Sequence, residues 1–448
     1  MENRNNDFLN GAILSPLLRF AGPVLLALFL QAMYGAVDLI VVGKFAGTAD
    51  ISAVSTGSQA MHLVTSLLVG LTTGVTVLLG QKIGEGRPDE AGSVIGSAIC
   101  LFVYIALGLT ALLVTLAAPF CRLLQAPEEA FDPTTQYVRI CSAGTLFIVA
   151  FNVIGSVFRG LGDSKMPLIT VAIACVTNIF GDLLLVDVFQ MGAVGAALAT
   201  VFAQAVSVIL SLLVIMRRKL PFTFRREQLR FDRPLTAGIL RLGIPIALQD
   251  VLVGVSFLVI LAIVNSLGLL QSAGMGIAEK VCAFVMLLPS AFSQSVSAFV
   301  AQNTGAGKPE RAKKALRYSV AVSLSISVFV FYFNFFHGDL LAGIFANDRA
   351  VVLEAADYLK AYAIDCLLTS FLFCFVGYFS GLGKTVFVMA QGILGAFGVR
   401  IPVSFAMSRL PNVRLFYIGL ATPCSTVVQV LLCLGYYAHL ARRERTAR

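Results

Sequence analysis

Twelve apolar segments, each about long enough to cross a bilayer, dominate this sequence of 448 residues. A transmembrane helix needs about 20 consecutive apolar residues. Apolar residues make up 58% of the chain and charged residues only 13%, whereas soluble domains carry roughly 25% charged residues. A soluble protein of this composition would expose large apolar patches. The sequence therefore predicts an all-α membrane protein with about twelve transmembrane helices, called spans 1 to 12 below. The segments fall at approximately 16–42, 52–80, 93–118, 135–158, 166–187, 192–216, 238–264, 273–301, 315–337, 352–378, 386–407 and 415–440.

The loops between the spans alternate in charge, and this alternation predicts how the chain is oriented. One set of loops is rich in Lys and Arg, as in "RRKLPFTFRREQLRFDR" (217–233), "KPERAKKALR" (308–317) and the final "ARRERTAR" (441–448). Such loops stay in the cytoplasm. We therefore expect a multi-pass protein of the plasma membrane with both termini cytoplasmic. The net charge of +9 is explained by this placement, and we expect no nucleic-acid partner.

The two halves of the chain resemble each other. "GQKIGEGRPDEA" (80–91) corresponds to "AQNTGAGKPERA" (301–312), and "FRGLGDS" (158–164) corresponds to "FSGLGKT" (379–385), both at an offset of 221 residues. Motifs in the same order at one offset indicate an internal duplication. Since each half holds six spans, we expect two six-helix lobes related by a pseudo-twofold axis along the membrane normal. The predicted domains are an N-lobe (1–216), a cytoplasmic linker loop (217–237) and a C-lobe with a basic tail (238–448).

Span 5 contains two polar residues that are costly in hydrocarbon. The stretch "CVTNIFGDLLLV" (175–186) carries Asn178 and Asp182, which lie four residues apart and therefore on one helix face. Ionisable residues in transmembrane helices are functional by default. Their oxygens suit a hard cation such as Na⁺, and a carboxylate can alternatively take up a proton. Hydrogen bonding between helices is the structural alternative.

Three motifs, together with the twelve spans, carry a family resemblance: "GQKIGEGRPDEA" after span 2, "RGLGDSKMP" (159–167) after span 4, and "RIP" (400–402) in span 11. They resemble the multidrug and toxic compound extrusion (MATE) transporters, in particular the DinF-like branch. The resemblance implies two six-helix bundles in a V and ion-coupled export of bulky, often cationic, organic compounds. It also implies a polar cluster in the N-lobe, matched by Asp38 in span 1, Asn178 and Asp182 in span 5, and Thr200 in span 6.

The duplication provides a test of this polar cluster. In the second half, Asp38 corresponds to Val259 or Ile260, Asn178 to Val399, Asp182 to Val403, and Thr200 to Ala421. All four polar residues are thus replaced by apolar ones, whereas the glycine loops recur. A six-helix lobe can therefore be built without the cluster, which favours a role in coupling. We expect the cluster to hold H⁺ or Na⁺, since the same carboxylates can bind either. We expect no other cofactor.

Span 1 also carries a predicted hinge. Pro23 lies fifteen residues before Asp38, and proline removes a backbone hydrogen bond and kinks a helix. Ion or proton binding at Asp38 would then change how span 1 packs. The recurrence of this proline at Pro245 leaves a static kink as the alternative. Candidate cavity residues are Tyr34, one turn from Asp38, together with Asp250, Glu279 and Lys280 of the second half.

We therefore predict a secondary active antiporter that is not an enzyme and that exports lipophilic organic cations in exchange for H⁺ or Na⁺. Small organic molecules and membrane lipid are its expected partners, and we expect a monomer. The alternative is a flippase for a lipid-linked precursor. Such a protein should carry cavity cations for phosphates, and the first six spans hold few.

The segment "SGLGKT" (380–385) resembles a phosphate-binding loop, but Tyr378 stands where that loop needs glycine, so we expect a tight turn there.

Overall fold

The computed structural model describes residues 8–217 and 225–446. Residues 218–224 of the predicted linker loop lie outside the described part, as do the first seven residues and the last two of the basic tail. Every regular element within the described residues is a helix. The predicted all-α fold is therefore confirmed.

Among the described residues, eleven helices are long and apolar enough to cross a membrane, and one bent helix pair brings the number to twelve. The bent pair forms span 4, where Glu128–Ala143 and Thr145–Gly160 meet at 52°. The prediction of about twelve spans is confirmed for the part of the chain that the structure describes. The remaining spans are Leu14–Phe45, Thr48–Gly84, Asp89–Thr115, Lys165–Val188, Gly192–Arg217, Arg233–Asn265, Leu269–Gly305, Pro309–Phe336, Arg349–Gly381, Thr385–Met407 and Leu415–Glu444.

The helices form two compact units. The first unit consists mainly of Leu18–Ala247, with Ala301–Gly307 added from the end of span 8. Its core is an apolar cluster that includes the fully buried side chains of Leu68, Leu79 and Phe102. The first half of span 7 thus packs with spans 1 to 6. The predicted boundaries at residues 216 and 238 stay a prediction.

The second unit consists mainly of Leu248–Val300 and the chain from Lys308 onward. Its core surrounds Ile260, Met275 and Leu359, each at most 1% exposed. Because lipid tails are as apolar as these side chains, close van der Waals packing between the helices is what stabilises such a cluster in a membrane. Each unit therefore has an apolar core of its own.

The internal duplication is visible in the backbone of the loops. Gly86 and its counterpart Gly307 have φ of +71° and +65°, and Gly162 and Gly383 have φ of +81° and +74°. L-residues with a side chain rarely adopt these angles, so glycine is needed where each chain reverses between two helices. Gly383 lies between the end of span 10 and the start of span 11. "SGLGKT" is accordingly a tight interhelical turn, as predicted.

Candidate functional site

Span 1 places the first residue of the predicted cluster inside the first unit. The helix Leu14–Phe45 continues through Pro23, and the side chain of Asp38 on it is only 4% exposed. At 1.5 Å per residue, Asp38 lies about 22 Å along the helix from Pro23. Tyr34, one turn before Asp38, is half-buried and lies beside Gln204 of span 6.

Span 5 changes its helical form directly after the second acidic residue. It is a regular α-helix over Lys165–Asp182 and a π-helix over Leu183–Val188. Asn178 is 1% exposed, and Asp182, the last residue of the α-helical part, is fully buried. Single π-helical turns inside α-helices occur frequently at functional sites, where the wider turn redirects side chains. The corresponding span 11 also has a π-helical segment, at Leu394–Arg400, which ends just before Val403.

Span 6 links these two helices through Thr200. The side-chain amide of Asn178 donates a hydrogen bond to the Thr200 hydroxyl oxygen at 3.4 Å. The Thr200 hydroxyl in turn donates to Oδ2 of Asp38 at 3.3 Å. The carboxyl groups of Asp38 and Asp182 lie close enough to interact directly. The structure thus brings together all four residues of the predicted cluster, on three different spans.

Four oxygen atoms of this cluster are buried without a hydrogen-bond donor among the described residues. They are Oδ1 of Asp38, Oδ1 of Asn178 and both carboxyl oxygens of Asp182. Buried polar atoms are normally paired, and an unpaired buried charge is costly. Two neighbouring carboxyl groups add mutual repulsion when both are ionised. A proton or a hard cation would relieve both costs, because oxygen atoms are the ligands that such cations prefer.

Gln204 is a further polar residue of this region that was not predicted from the sequence. Its side-chain oxygen is buried and lacks a donor within the described part of the chain. Gln204 lies four residues after Thr200 on span 6, and thus on the same helix face. That spacing was the available signal, but an isolated glutamine in a span is also a common interhelical hydrogen-bonding group.

The other candidates, Asp250, Glu279 and Lys280, lie in the second unit. Asp250 and Glu279 are half-buried, and Lys280 is exposed. None of the ion pairs found among the described residues includes any of the three. They therefore do not form a charged cluster comparable to that of Asp38 and Asp182.

The second unit instead has a buried polar group around Arg400 of span 11. The Arg400 side chain is 6% exposed, its Nη1 donates to the hydroxyl of Ser256 at 3.1 Å, and its guanidinium lies 4.4 Å from the ring centre of Phe257. Asp365 of span 10 is 2% exposed and lies within electrostatic range of Arg400. In the second unit, the buried acid Asp365 thus has a cation, Arg400, within electrostatic range. In the first unit, no cation among the described residues is hydrogen-bonded or ion-paired to the cluster of Asp38 and Asp182.

Twelve spans in two similar halves, with a buried acidic cluster in one of them, define a polytopic membrane transporter. The chain belongs to the MatE family: the model of that family matches it twice, over residues 23–184 and 245–406. The two matches are related by an offset of 222 residues, so the internal duplication is confirmed. Because this is a family of transporters, the prediction that the protein is not an enzyme is confirmed as well.

Curated relatives match the chain over nearly its full length. The chain is 30% identical to the probable multidrug resistance protein YpnP of Bacillus subtilis, over 92% of this chain and 90% of that protein. It is 26% identical to the multidrug export protein MepA of Staphylococcus aureus, over 90% and 89% of the two chains. These matches confirm a multi-pass protein of the plasma membrane. The DinF-like branch stays a prediction.

Solved structures share the fold. A multidrug resistance MATE family transporter of the MOP superfamily in an outward-facing conformation superimposes with a TM-score of 0.92. The alignment covers 99% of each chain at 18% sequence identity. At this identity the likeness concerns the fold alone.

Proposed function

We propose that the protein is a secondary active antiporter that exports lipophilic organic cations in exchange for H⁺ or Na⁺. The coupling site consists of Asp38, Asn178, Asp182 and Thr200. The observation that carries this proposal is the set of four buried oxygens without a donor in the described part of the chain. Export of drugs is supported by the relatives, which include proteins named for multidrug export and multidrug resistance.

The coupling ion acts by neutralising this cluster. An empty, fully ionised cluster is disfavoured in a low-dielectric interior, so the site takes up H⁺ or Na⁺ from the side where that ion is abundant. A ligand shifts an equilibrium between two conformations only by its different affinity for them. The ion must therefore bind one arrangement of spans 1, 5 and 6 better than the other. The organic substrate prefers the opposite arrangement, and this difference couples the two movements.

Span 1 is proposed to transmit the change at the coupling site. Its carboxylate at Asp38 accepts the hydrogen bond from Thr200, and its Pro23 interrupts the helical hydrogen-bond ladder. Occupation of the site weakens or redirects the Thr200 bond, and span 1 then bends at Pro23. Alternating access, in which the substrate is exposed to one side of the membrane at a time, follows from this bending.

The proposed substrates are cationic because acidic groups outnumber buried cations near the cluster, and because Tyr34 offers an aromatic face for cation–π attraction. Asp250, Glu279 and Lys280 remain candidate cavity residues. The alternative, a flippase for a phosphate-bearing lipid precursor, would need buried cations at its binding site. The cluster of Asp38 and Asp182 has the opposite charge and argues against it.

We further propose that the protein works as a monomer with both termini in the cytoplasm. The support for the orientation is the distribution of charge: the basic stretches 308–317 and 441–446 fall at one end of the helices on which they lie. Lys and Arg residues of short loops are retained in the cytoplasm.

The proposal is tested in proteoliposomes loaded with a fluorescent lipophilic cation, under an imposed pH or Na⁺ gradient. Asp38→Asn and Asp182→Asn should each abolish gradient-driven efflux, because a neutral amide removes the charge that the ion must compensate. Asp187→Asn, on the same span but outside the hydrogen-bonded cluster, is the matched control and should retain efflux. Gradient-independent efflux by the wild-type protein, or full activity in both cluster variants, would refute the coupling mechanism.

A further inference from the structure

A groove of about 510 Å³ lies between the start of span 11 and the last turns of span 12, in the second unit. Its lining comes from Phe387 of span 11 and from Leu431, Leu432, Gly435, Tyr436 and His439 of span 12. These span 12 residues recur at three- and four-residue intervals, so they form one stripe along the helix. Leu431 on this stripe is 62% exposed. The groove is thus an outward-facing apolar surface on membrane-spanning helices.

Packed aromatic rings form the wall of the groove. The rings of Phe387 and Tyr436 lie 4.0 Å apart and only 17° from parallel. Both rest on Phe379 of span 10, which is fully buried, with ring centres 5.1 and 5.3 Å away. Gly435 leaves room beside these rings, since a Cβ atom added there would meet nothing within 4 Å. The groove is therefore a shallow, open apolar surface with space beside Gly435.

Three cationic residues lie near one end of the groove, next in the chain to residues that line it. Lys384 immediately precedes span 11 and lies one turn before Phe387, and Arg442 and Arg443 lie one turn beyond His439. All of these cationic side chains are exposed. The neighbouring anion Glu444 is already paired with Lys313 of span 9. Lys313 also pairs with Glu310, so it compensates Glu444 only in part, but the three cations outnumber this one anion and this end of the groove stays positive. The N-terminus of span 11 adds the positive end of a helix dipole.

We propose that this groove binds one anionic phospholipid of the surrounding bilayer. An acyl chain lies along the apolar wall, and the phosphate lies between Lys384, His439 and the two arginines. Basic pockets between transmembrane helices bind acidic lipid headgroups for the same electrostatic reason. A free phosphate would leave the apolar wall uncovered, and a cationic substrate would be repelled by the arginines. A second copy of the chain, docking through the same face, would bring these cations against their own counterparts.

The test is native mass spectrometry of the delipidated full-length protein with added phosphatidylglycerol or phosphatidylcholine. We expect the wild-type protein to bind phosphatidylglycerol preferentially, with one tightly bound molecule. The variant R442Q/R443Q should lose about five-fold in affinity for each cation removed. The control R230Q/R233Q removes the same net charge from two exposed arginines in the first unit and should bind normally.

A second variant tests the apolar wall independently. Gly435→Phe fills the groove and should lower binding of both lipids, whereas Gly108→Phe, at an equally open position on span 3, should not. Equal binding of the two lipids by the wild-type protein, or equal losses in R442Q/R443Q and R230Q/R233Q, would overturn the proposal. A dimer that disappears in Gly435→Phe would assign the groove to self-association instead. None of these readouts depends on transport, so the proposed antiport mechanism is tested separately.

Discussion

A Cβ atom on Gly305 would lie only 2.0 Å from the backbone oxygen of Gln81. In the first copy of the duplicated motif, a Cβ atom on Gly84 would likewise lie 2.0 Å from the backbone oxygen of Gln302. Gly84 corresponds to Gly305 and Gln81 to Gln302 at the 221-residue offset. The two copies of the duplicated motif therefore meet each other backbone to backbone, at the ends of spans 2 and 8 within the first unit.

Alanine at either glycine should destabilise the protein. The opposing atom is backbone in both cases, so a rotamer change cannot relieve the overlap, and overpacking of this kind costs about 1–3 kcal/mol. We expect Gly84→Ala and Gly305→Ala to lower the temperature at which the detergent-solubilised protein disappears from its size-exclusion peak. Gly108→Ala meets nothing within 4 Å and should not lower it. Unchanged thermal stability in both motif variants would show that these helix ends do not pack so closely.

We expect Thr200 to contribute to gradient-driven efflux through its hydroxyl group rather than through the shape of its side chain. It accepts from Asn178 and donates to Asp38, so Thr200→Val removes both hydrogen bonds while keeping the volume. Each such bond contributes about 0.5–1.5 kcal/mol, and more where a charged group takes part. We expect gradient-driven efflux to fall several-fold in Thr200→Val and to remain near wild type in Thr200→Ser. Equal rates in the two variants would show that the hydroxyl is not part of the coupling site.

The sequence predicted the parts of this site that depend on local spacing. Asn178 and Asp182 were found because four residues make one helical turn, and that face is buried as a unit. Asp38 and Thr200 came only from the family resemblance, because nothing local relates a residue of span 1 to one of span 6. Tertiary packing of three helices brings them together, and periodicity carries no information about it.

Two further features of the structure were not predicted from the sequence, for related reasons. The helical repeat changes in the π-helical segment after Asp182, but Leu183–Val188 contains no proline or glycine that would indicate this change in the sequence. The contact between Arg400 and Ser256 joins residues that are 144 positions apart.

The number of spans could be predicted from the sequence, since the apolar length of a span follows directly from the thickness of the bilayer.

Arg400 and Asp365 should behave as a coupled pair. Loss of the guanidinium in Arg400→Met leaves a buried carboxylate without its nearest cation and removes the stacking on Phe257. Breaking a buried charge pair from one side costs about 3–5 kcal/mol when the charges are in direct contact, and less at longer range. We expect Arg400→Met to lower thermal stability. The double variant Arg400→Met/Asp365→Asn should recover part of this loss. Strictly additive effects in this double-mutant cycle would show that the two groups do not interact.

Pro23 and Pro245 provide an internal comparison for the proposed hinge. Both lie inside long helices at corresponding places in the two halves, but only span 1 carries a residue of the acidic cluster. Alanine restores the missing backbone hydrogen bond and removes a penalty of about 3 kcal/mol for proline in a helix interior. Both substitutions should therefore straighten their helix without unfolding the protein.

Their effects on transport should differ. If occupation of Asp38 is transmitted by bending of span 1, Pro23→Ala should slow gradient-driven efflux strongly while Pro245→Ala changes it little. Binding of a fluorescent cation to the detergent-solubilised protein should persist in Pro23→Ala, because the substitution leaves the acidic cluster intact. Equal efflux by Pro23→Ala and the wild-type protein, or equal loss in both proline variants, would identify Pro23 as a static kink that the two halves share.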